Sequence, residues 1–438
     1  LLSQKFLPFF FLKKKNRRWW VRKNNNYNKT NYYKIIIGLS MVLCILWVIF
    51  VDTKPFSDFE YYYNLAVDIA NGGEWGDTYT SIGYSIVLGG LFKLFGASLA
   101  LAKIFNLVLT FLGQVLFLGI LRKTEITERN RKIVFTLFAL FPNNIFFNSV
   151  VGTEILFTTL LLLLTYLYFS DIKYKYVILG VLVGATTMVK PFFLLYAFAI
   201  FLVELLKEKS FIKPLKSAII IVVVALICIS PWLYRNTKYN GERTFVSNNG
   251  GIVLYINNNS QNNMGRWMDI LDVENSLAKT EEYKKASATG KNKMLNKAAK
   301  EWIKSHPKEF VILGFKRLFN TYMWADDVLY STYGATINNN IKFALFPITN
   351  SIRNAFFIPA IIYILIYSAF IIIQIIKGRT EKLNKFNLYS TIIFYMFTSV
   401  YFITEGQGRY AFPLIFIMVY FWFYFIKHGI LLFKELRR

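Results

Sequence analysis

An all-α membrane fold that crosses the bilayer many times is what this sequence predicts, and three observations predict it. Hydrophobic residues make up 55% of the 438-residue chain and aromatic residues 18%, more than a water-soluble domain needs to fill its core. The apolar residues fall in blocks: 35–51, 99–121, 133–147, 155–169, 219–233, 355–376 and 411–426 are each nearly free of charge. Roughly 20 such residues make a spanning helix, fewer where aromatics flank it. The Lys and Arg residues behind the net charge of +26 sit in short stretches between these blocks, as they do in cytoplasmic loops. A basic strip also suits nucleic acid, but the apolar flanks assign this one to a bilayer surface with anionic headgroups. No nucleic-acid partner is expected.

Threading the chain by charge orders the elements. The basic run 13–23 lies inside, and 34–51 leaves as an uncleaved first span, since it has no small-residue cleavage site. The stretch 52–79 that follows is acidic, with Asp58, Glu60, Asp68, Glu74 and Asp77. Segment 81–95 is apolar but short, and Gly83, Gly89 and Gly90 break it. Were it a span, Arg122, Lys123, Arg129, Arg131 and Lys132 would fall outside. It is therefore expected along the outer interface, with 99–121 as the second span. Spans at 133–147, 154–169, 176–190, 192–206 and 215–234 then alternate, and each basic cluster falls on one side.

Beyond 234 the composition turns polar. Residues 257–263 are rich in asparagine, 269–303 are charged with helical character, and 307–322 have the spacing of an amphipathic interfacial helix. Spans at 354–376, 386–403 and 411–426 complete the chain, with a tight outer turn at 405–410. The reading gives about ten spans, a multi-pass inner (cytoplasmic) membrane protein, and both termini inside. It divides into an N-terminal transmembrane module (1–234, first outer loop 52–97), an extracytoplasmic segment (235–352) and a C-terminal transmembrane module (353–438). Cys44 and Cys228 sit in apolar blocks and are expected to be inert core residues without a disulfide framework. His306 and His428 are too far apart to found a metal site.

Charged groups at membrane depth are costly and point to function, and this topology gathers several at the outer face. Asp58, Tyr62 and Ala66 recur at four-residue spacing and share one face of a short helix. A carboxylate there suits a general base; equally, Asp58 behind Ser57 could simply start the helix as a cap. Glu154 opens an apolar helix, where it favours the macrodipole in any case. Lys190 stands at an outer helix end against the positive-inside trend. It either snorkels to the interface or meets an anion, and phosphate is the commonest such partner. Arg235 follows 215–234, and Arg409-Tyr410 precedes 411–426. Arg holds its charge and binds phosphate bidentately, although a loop Arg can also bond nearby carbonyls. The glycines around Gln407 would let the backbone approach a ligand closely.

Taken in order, these residues resemble a known pattern. The series is Asp58-x3-Tyr62-x3-Ala66, Gly83-Tyr84, Leu94-Phe95-Gly96, Thr153-Glu154, Lys190-Pro191 and Pro231-Trp232-x2-Arg235-Asn236. It continues with Ser247-x2-Gly250-Gly251-x2-Leu254, His306-Pro307 and Arg409-Tyr410-x2-Pro413. It is similar to the GT-C superfamily of polyprenyl-phosphate-sugar glycosyltransferases, in particular the bacterial relatives of dolichyl-phosphate-mannose protein mannosyltransferases and of the lipid A aminoarabinose transferase. The resemblance implies a GT-C type fold with interfacial helices in the first outer loop. It implies Asp58 and Glu154 as catalytic acids, and Lys190, Arg235, Arg409, Tyr410, Lys103 and Tyr62 at the lipid phosphate and donor. Relatives carry adjacent acids at the first site, whereas here Phe59 separates Asp58 from Glu60, which points the two apart on a helix. Many relatives have Arg where Lys103 stands.

The implied function is inverting transfer of a sugar from a polyprenyl-phosphate donor to an extracytoplasmic hydroxyl on an envelope glycan, glycolipid or protein. The cations make a metal dispensable, with a divalent ion bridging Asp58 and Glu154 as an option. The alternative is a transporter or flippase of a lipid-linked sugar, which predicts polar residues along a mid-membrane path; Gln114 and Gln374 are isolated amides in the spans.

Overall fold

Long apolar helices build the structure, a computed structural model that describes residues 26–208 and 210–436. The basic run 13–23, Lys209 and the arginines at 437–438, which helped to set the predicted topology, lie outside the described residues. Among the described residues there is no strand.

Helix α1 (Asn26–Phe50) is the first apolar block. Helices α2 (Ser57–Ala70) and α3 (Gly83–Phe95) pack on each other where the acidic stretch and the glycine-broken segment were read. Helix α4 (Leu99–Lys123) starts from Ser98, whose hydroxyl accepts the Leu101 N–H at 3.2 Å. The 133–147 block is two pieces, α5 (Glu128–Ala139) and the short α6 (Pro142–Phe146), because Pro142 cannot continue a helix but can start one. Helices α7 (Thr153–Tyr168) and α8 (Lys175–Val189) follow, and a 3-10 turn at Pro191–Leu195 leads into α9 (Tyr196–Lys207). Helix α10 (Ile212–Asn240) packs on α8.

The polar segment folds as small helices: α11 (Gly250–Asn257), α12 (Glu281–Lys285), α13 (Ala288–Ser305), α14 (Pro307–Tyr322) and α15 (Asp327–Tyr330). Tyr255, Ile256, Val273, Leu295 and Ala299 give it a core of its own. Helix α16 (Asn339–Ile376) packs on α18 (Ile415–Leu436), and α17 (Lys385–Ile403) stands against α9 and α14.

Helices therefore occupy all the expected spans, and the fold is an all-α polytopic membrane fold. Among the described residues six apolar segments are long enough to cross a membrane alone: Asn31–Phe50, Leu99–Lys123, Ile212–Asn240, Asn339–Ile376, Lys385–Ile403 and Gly408–Glu435. Helices α7 and α8, with 16 and 15 residues, rise about 24 and 22 Å at 1.5 Å per residue, short of a hydrocarbon core of about 30 Å. The divisions drawn at 234/235 and 352/353 fall inside α10 and α16, which run on as continuous helices. Cys44 is buried as expected, but Cys228 is exposed: its Cβ lies against Gly184 of α8, and it lines an open cavity beside Met188.

Candidate functional site

The first turns of α2 and α7, the break after α8 and the 3-10 turn Gly408–Leu414 meet at one end of the bundle. Each brings one charged side chain. Arg409 is the hub. Its Nη2 donates to Asp58 Oδ2 at 2.8 Å and its Nε to Gln407 Oε1 at 2.8 Å. The same Nε stands 4.0 Å from Glu154 Oε1, and Lys190 Nζ stands 3.9 Å from that oxygen. Rings of Phe59, Tyr410 and Tyr330 surround the guanidinium at 5.0, 5.5 and 5.8 Å from their centroids. Lys190 lies 5.9 Å from the Tyr410 ring. Aromatic faces compensate part of a cation's lost hydration.

Glu154 is the unusual member. Its side chain is 3% exposed, yet both cations stop short of hydrogen-bond distance and its Oε2 has no hydrogen-bond partner. The Tyr84 hydroxyl and Thr153 Oγ1 are likewise buried without a partner. Buried polar atoms nearly always find partners, so such a group calls for a reason. First-turn placement satisfies the macrodipole but leaves that oxygen unaccounted for.

Asp58 sits in the first turn of α2 but does not cap it; Phe56 is the N-cap residue and makes no side-chain cap bond. Its side chain is 44% exposed, so it can meet a solute from outside. Tyr62 and Ala66 lie buried beneath it on the same face, and Glu60 points to solvent. Burial, with the Asp58 charge second, pushes the Tyr62 hydroxyl above its ordinary range, so it remains a neutral donor.

Lys190 is aimed by its neighbours. α3 lies so close to the end of α8 that a Cβ on Gly83 would stand 2.6 Å from the Met188 carbonyl, and Ser81 Oγ donates to Val189 O at 2.9 Å. Of the glycines that interrupt 81–95 as a span, Gly83 thus docks it on the end of α8.

The turn before α18 also holds a residue the sequence reading passed over. Glu405 is buried and accepts from Gln407 Nε2 at 2.6 Å and from the Tyr410 hydroxyl at 2.8 Å. Gln407 therefore couples Glu405 to Arg409. The i, i+2, i+4 spacing of Glu405, Gln407 and Arg409 was the available signal, since the backbone at Gln407 is extended and alternate residues of an extended chain share a side. The neighbouring glycines correct the expectation of a ligand approach. A Cβ on Gly406 would stand 2.3 Å from Arg317 O, and one on Gly408 2.5 Å from Trp324 O. They let the turn press against α14 and the chain after it.

Two predicted members stand apart. Lys103 is buried on α4 and faces Asp52 Oδ1 at 3.9 Å, in a separate group of three that also includes Lys54. Arg235 donates to Gly76 O at 2.6 Å and lies between the rings of Trp232 (4.8 Å) and Tyr239 (4.7 Å). It edges an open cavity of about 400 Å³ walled by Trp75, Ile86, Met188 and Trp232, two residues along the chain from Lys190. Among the described residues no three His, Cys, Asp or Glu side chains gather to hold a metal ion. Between Asp58 and Glu154, where a bridging ion was an option, stands the Arg409 guanidinium.

Arg353 and Asp327 form a further buried pair, at 2.9 Å. Asp327 also accepts from Asn143 Nδ2 at 2.6 Å, and Arg353 donates to Thr321 O at 2.5 Å and Gly408 O at 2.7 Å. This pair fixes the backbone that presents Arg409.

No protein-family model matches the chain, and no curated protein sequence matches it. Among solved structures it is similar to the Archaeoglobus fulgidus oligosaccharyltransferase, crystallised tethered to an acceptor peptide containing the NVT sequon. The TM-score is 0.50 at 12% identity, over 92% of this chain and 50% of that one. This chain thus spans about half the length of that enzyme. The ArnT of Cupriavidus metallidurans, crystallised with undecaprenyl phosphate, aligns with a TM-score of 0.42 at 13% identity, over 90% of this chain and 78% of that one. The likeness to the oligosaccharyltransferase is one of fold, an all-α arrangement that runs over 92% of this chain.

Proposed function

We propose that this chain is a membrane glycosyltransferase that moves a sugar, with inversion, from a polyprenyl-phosphate donor to an acceptor hydroxyl on the extracytoplasmic side. The observation that carries the reading is the meeting of two carboxylates and two cations from four separate elements, with Glu154 left incompletely bonded. A sugar phosphate supplies what that arrangement lacks: an anion for Lys190 and Arg409, and hydroxyls for Glu154 Oε2, Tyr84 and Thr153.

In the reaction the acceptor oxygen attacks the anomeric carbon from the face opposite the phosphate, and its proton passes to Asp58. The anomeric C–O bond to the phosphate breaks, and that electron pair leaves on the phosphate oxygen. Lys190 and Arg409 then meet charge that grows in the transition state, where fixed cations in a partly desolvated site contribute most. Arg409 also orients the Asp58 carboxylate. The prenyl chain lies in the apolar cavity beside Met188 and Trp232.

The test is transfer from a polyprenyl-phosphate sugar by the purified protein in detergent. Asp58→Asn is expected to lower the rate about 10²–10⁴-fold, the worth of a general base. Full activity in that variant removes Asp58 from the role.

A further inference from the structure

The asparagine-rich run 257–263 plays no part in the chemistry above, yet it is built with care. Asn259 donates to the carbonyls of Tyr255 and Ile256 at 3.0 and 2.9 Å and accepts the N–H groups of Gln261 and Asn262 at 3.0 and 2.9 Å. Asn258 donates to Leu254 O at 2.8 Å and accepts from Arg317 at 2.9 Å. The run is therefore a rigid wall rather than a loose loop, and it borders an open cleft of about 350 Å³.

Trp302 of α13 forms the facing wall. Its indole N–H donates to Ser260 Oγ at 2.9 Å, and its ring stacks on His306 at 5.0 Å with planes 10° apart. At the mouth Gln261 donates to Glu274 at 3.0 Å, beside Asn275. None of the residues lining the cleft is Lys or Arg, in contrast to the cluster around Arg409.

We infer that this cleft binds a neutral saccharide unit of the acceptor; the inference rests on the transferase reading and narrows its acceptor class. Sugar hydroxyls both donate and accept, which carboxamides, a serine hydroxyl and a carboxylate can match. The C–H face of a pyranose packs on an indole already held in place, so little ordering is needed on binding. A phosphate would find no cation. The volume falls in the range of small-ligand pockets, about 300–1,000 Å³, and suits a short stretch of glycan.

The cleft is also tied to the reaction centre. Asn258 Nδ2 donates to Ile403 O at 3.1 Å, Arg317 donates to Phe402 O at 2.6 Å, and Gly406 N–H donates to Gly265 O at 3.1 Å. The wall of the cleft and the turn carrying Glu405, Gln407 and Arg409 thus move as one body.

The experiment is saturation-transfer NMR on the full chain in detergent, without donor, using maltotriose and N,N′-diacetylchitobiose, with a Gly-Ser-Thr-Gly peptide as comparison. Transfer to ring protons of at least one sugar is expected. Trp302→Ala is expected to weaken that binding about tenfold, as the loss of one aromatic contact implies, and the exposed Gln261→Ala to weaken it less. Thermal unfolding of both variants separates lost binding from lost fold. No transfer to either sugar, unchanged binding in both variants, or saturation of the peptide alone overturns the inference. Because no donor is present, that failure would leave the Asp58 test standing, and failure of the Asp58 test would leave the binding result standing.

Discussion

Asp327 and Glu154 are both buried carboxylates facing arginine, and they are held in opposite ways. Asp327 has both oxygens bonded, one to Arg353 and one to Asn143. Glu154 has its cations at 3.9 and 4.0 Å and one oxygen with no partner. Burial raises the Asp327 pKa, and the Arg353 charge opposes the rise, so the pair is a closed electrostatic unit. A closed unit contributes to the fold, while an open one spends stability to keep its groups available for a ligand.

Breaking the closed unit should give the largest effect on the fold. Arg353→Met leaves Asp327 buried without its cation and is expected to cost about 3–5 kcal/mol, read as thermal unfolding in detergent. Replacing both partners, Arg353→Met with Asp327→Leu, should recover most of that loss; no recovery would mean that the bonds to Thr321 and Gly408 matter more than the pair.

At the open unit the readout changes from stability to rate. Arg409→Lys keeps the charge but loses the fork that reaches Asp58 and Gln407 together. Transfer is expected to fall about 10²–10³-fold, the cost of removing one transition-state donor, with unfolding little changed. Gly408→Ala joins the two regions, because its Cβ would meet Trp324 O. A cost of about 1–3 kcal/mol is expected, together with reduced transfer as Arg409 is displaced. Lys103→Met should do least, because Lys103 faces a half-exposed Asp52 and not the cluster. A pair of that kind is worth about 0–1 kcal/mol, and transfer in this variant should stay near that of the parent.

The same contrast explains what could be read from the sequence. Helices were legible because apolar blocks and basic loops are composition signals, and the break in 81–95 matches a helix of only 13 residues. Asp58, Glu154, Lys190 and Arg409 were legible because each is an ionisable group against an apolar run. Arg235 fits that pattern equally well and yet lies between Trp232 and Tyr239, since composition gives depth along a helix but not the direction in which the side chain leaves it. Asp327 and Arg353 were passed over because 26 residues separate them and their pairing joins the start of one short helix to the next helix, a match that no local spacing marks. Glu405 was hidden by its turn; only the alternation with Gln407 and Arg409 marks it.

The most direct test of this account sets Glu154→Gln beside Asp327→Asn, with transfer measured for the first and thermal unfolding for both. If Glu154 belongs to the open unit, Glu154→Gln loses transfer by about 10²-fold or more while its stability changes by less than about 1 kcal/mol. Asp327→Asn unfolds several degrees lower. A Glu154→Gln variant that keeps full transfer, or that loses as much stability as Asp327→Asn, would contradict it.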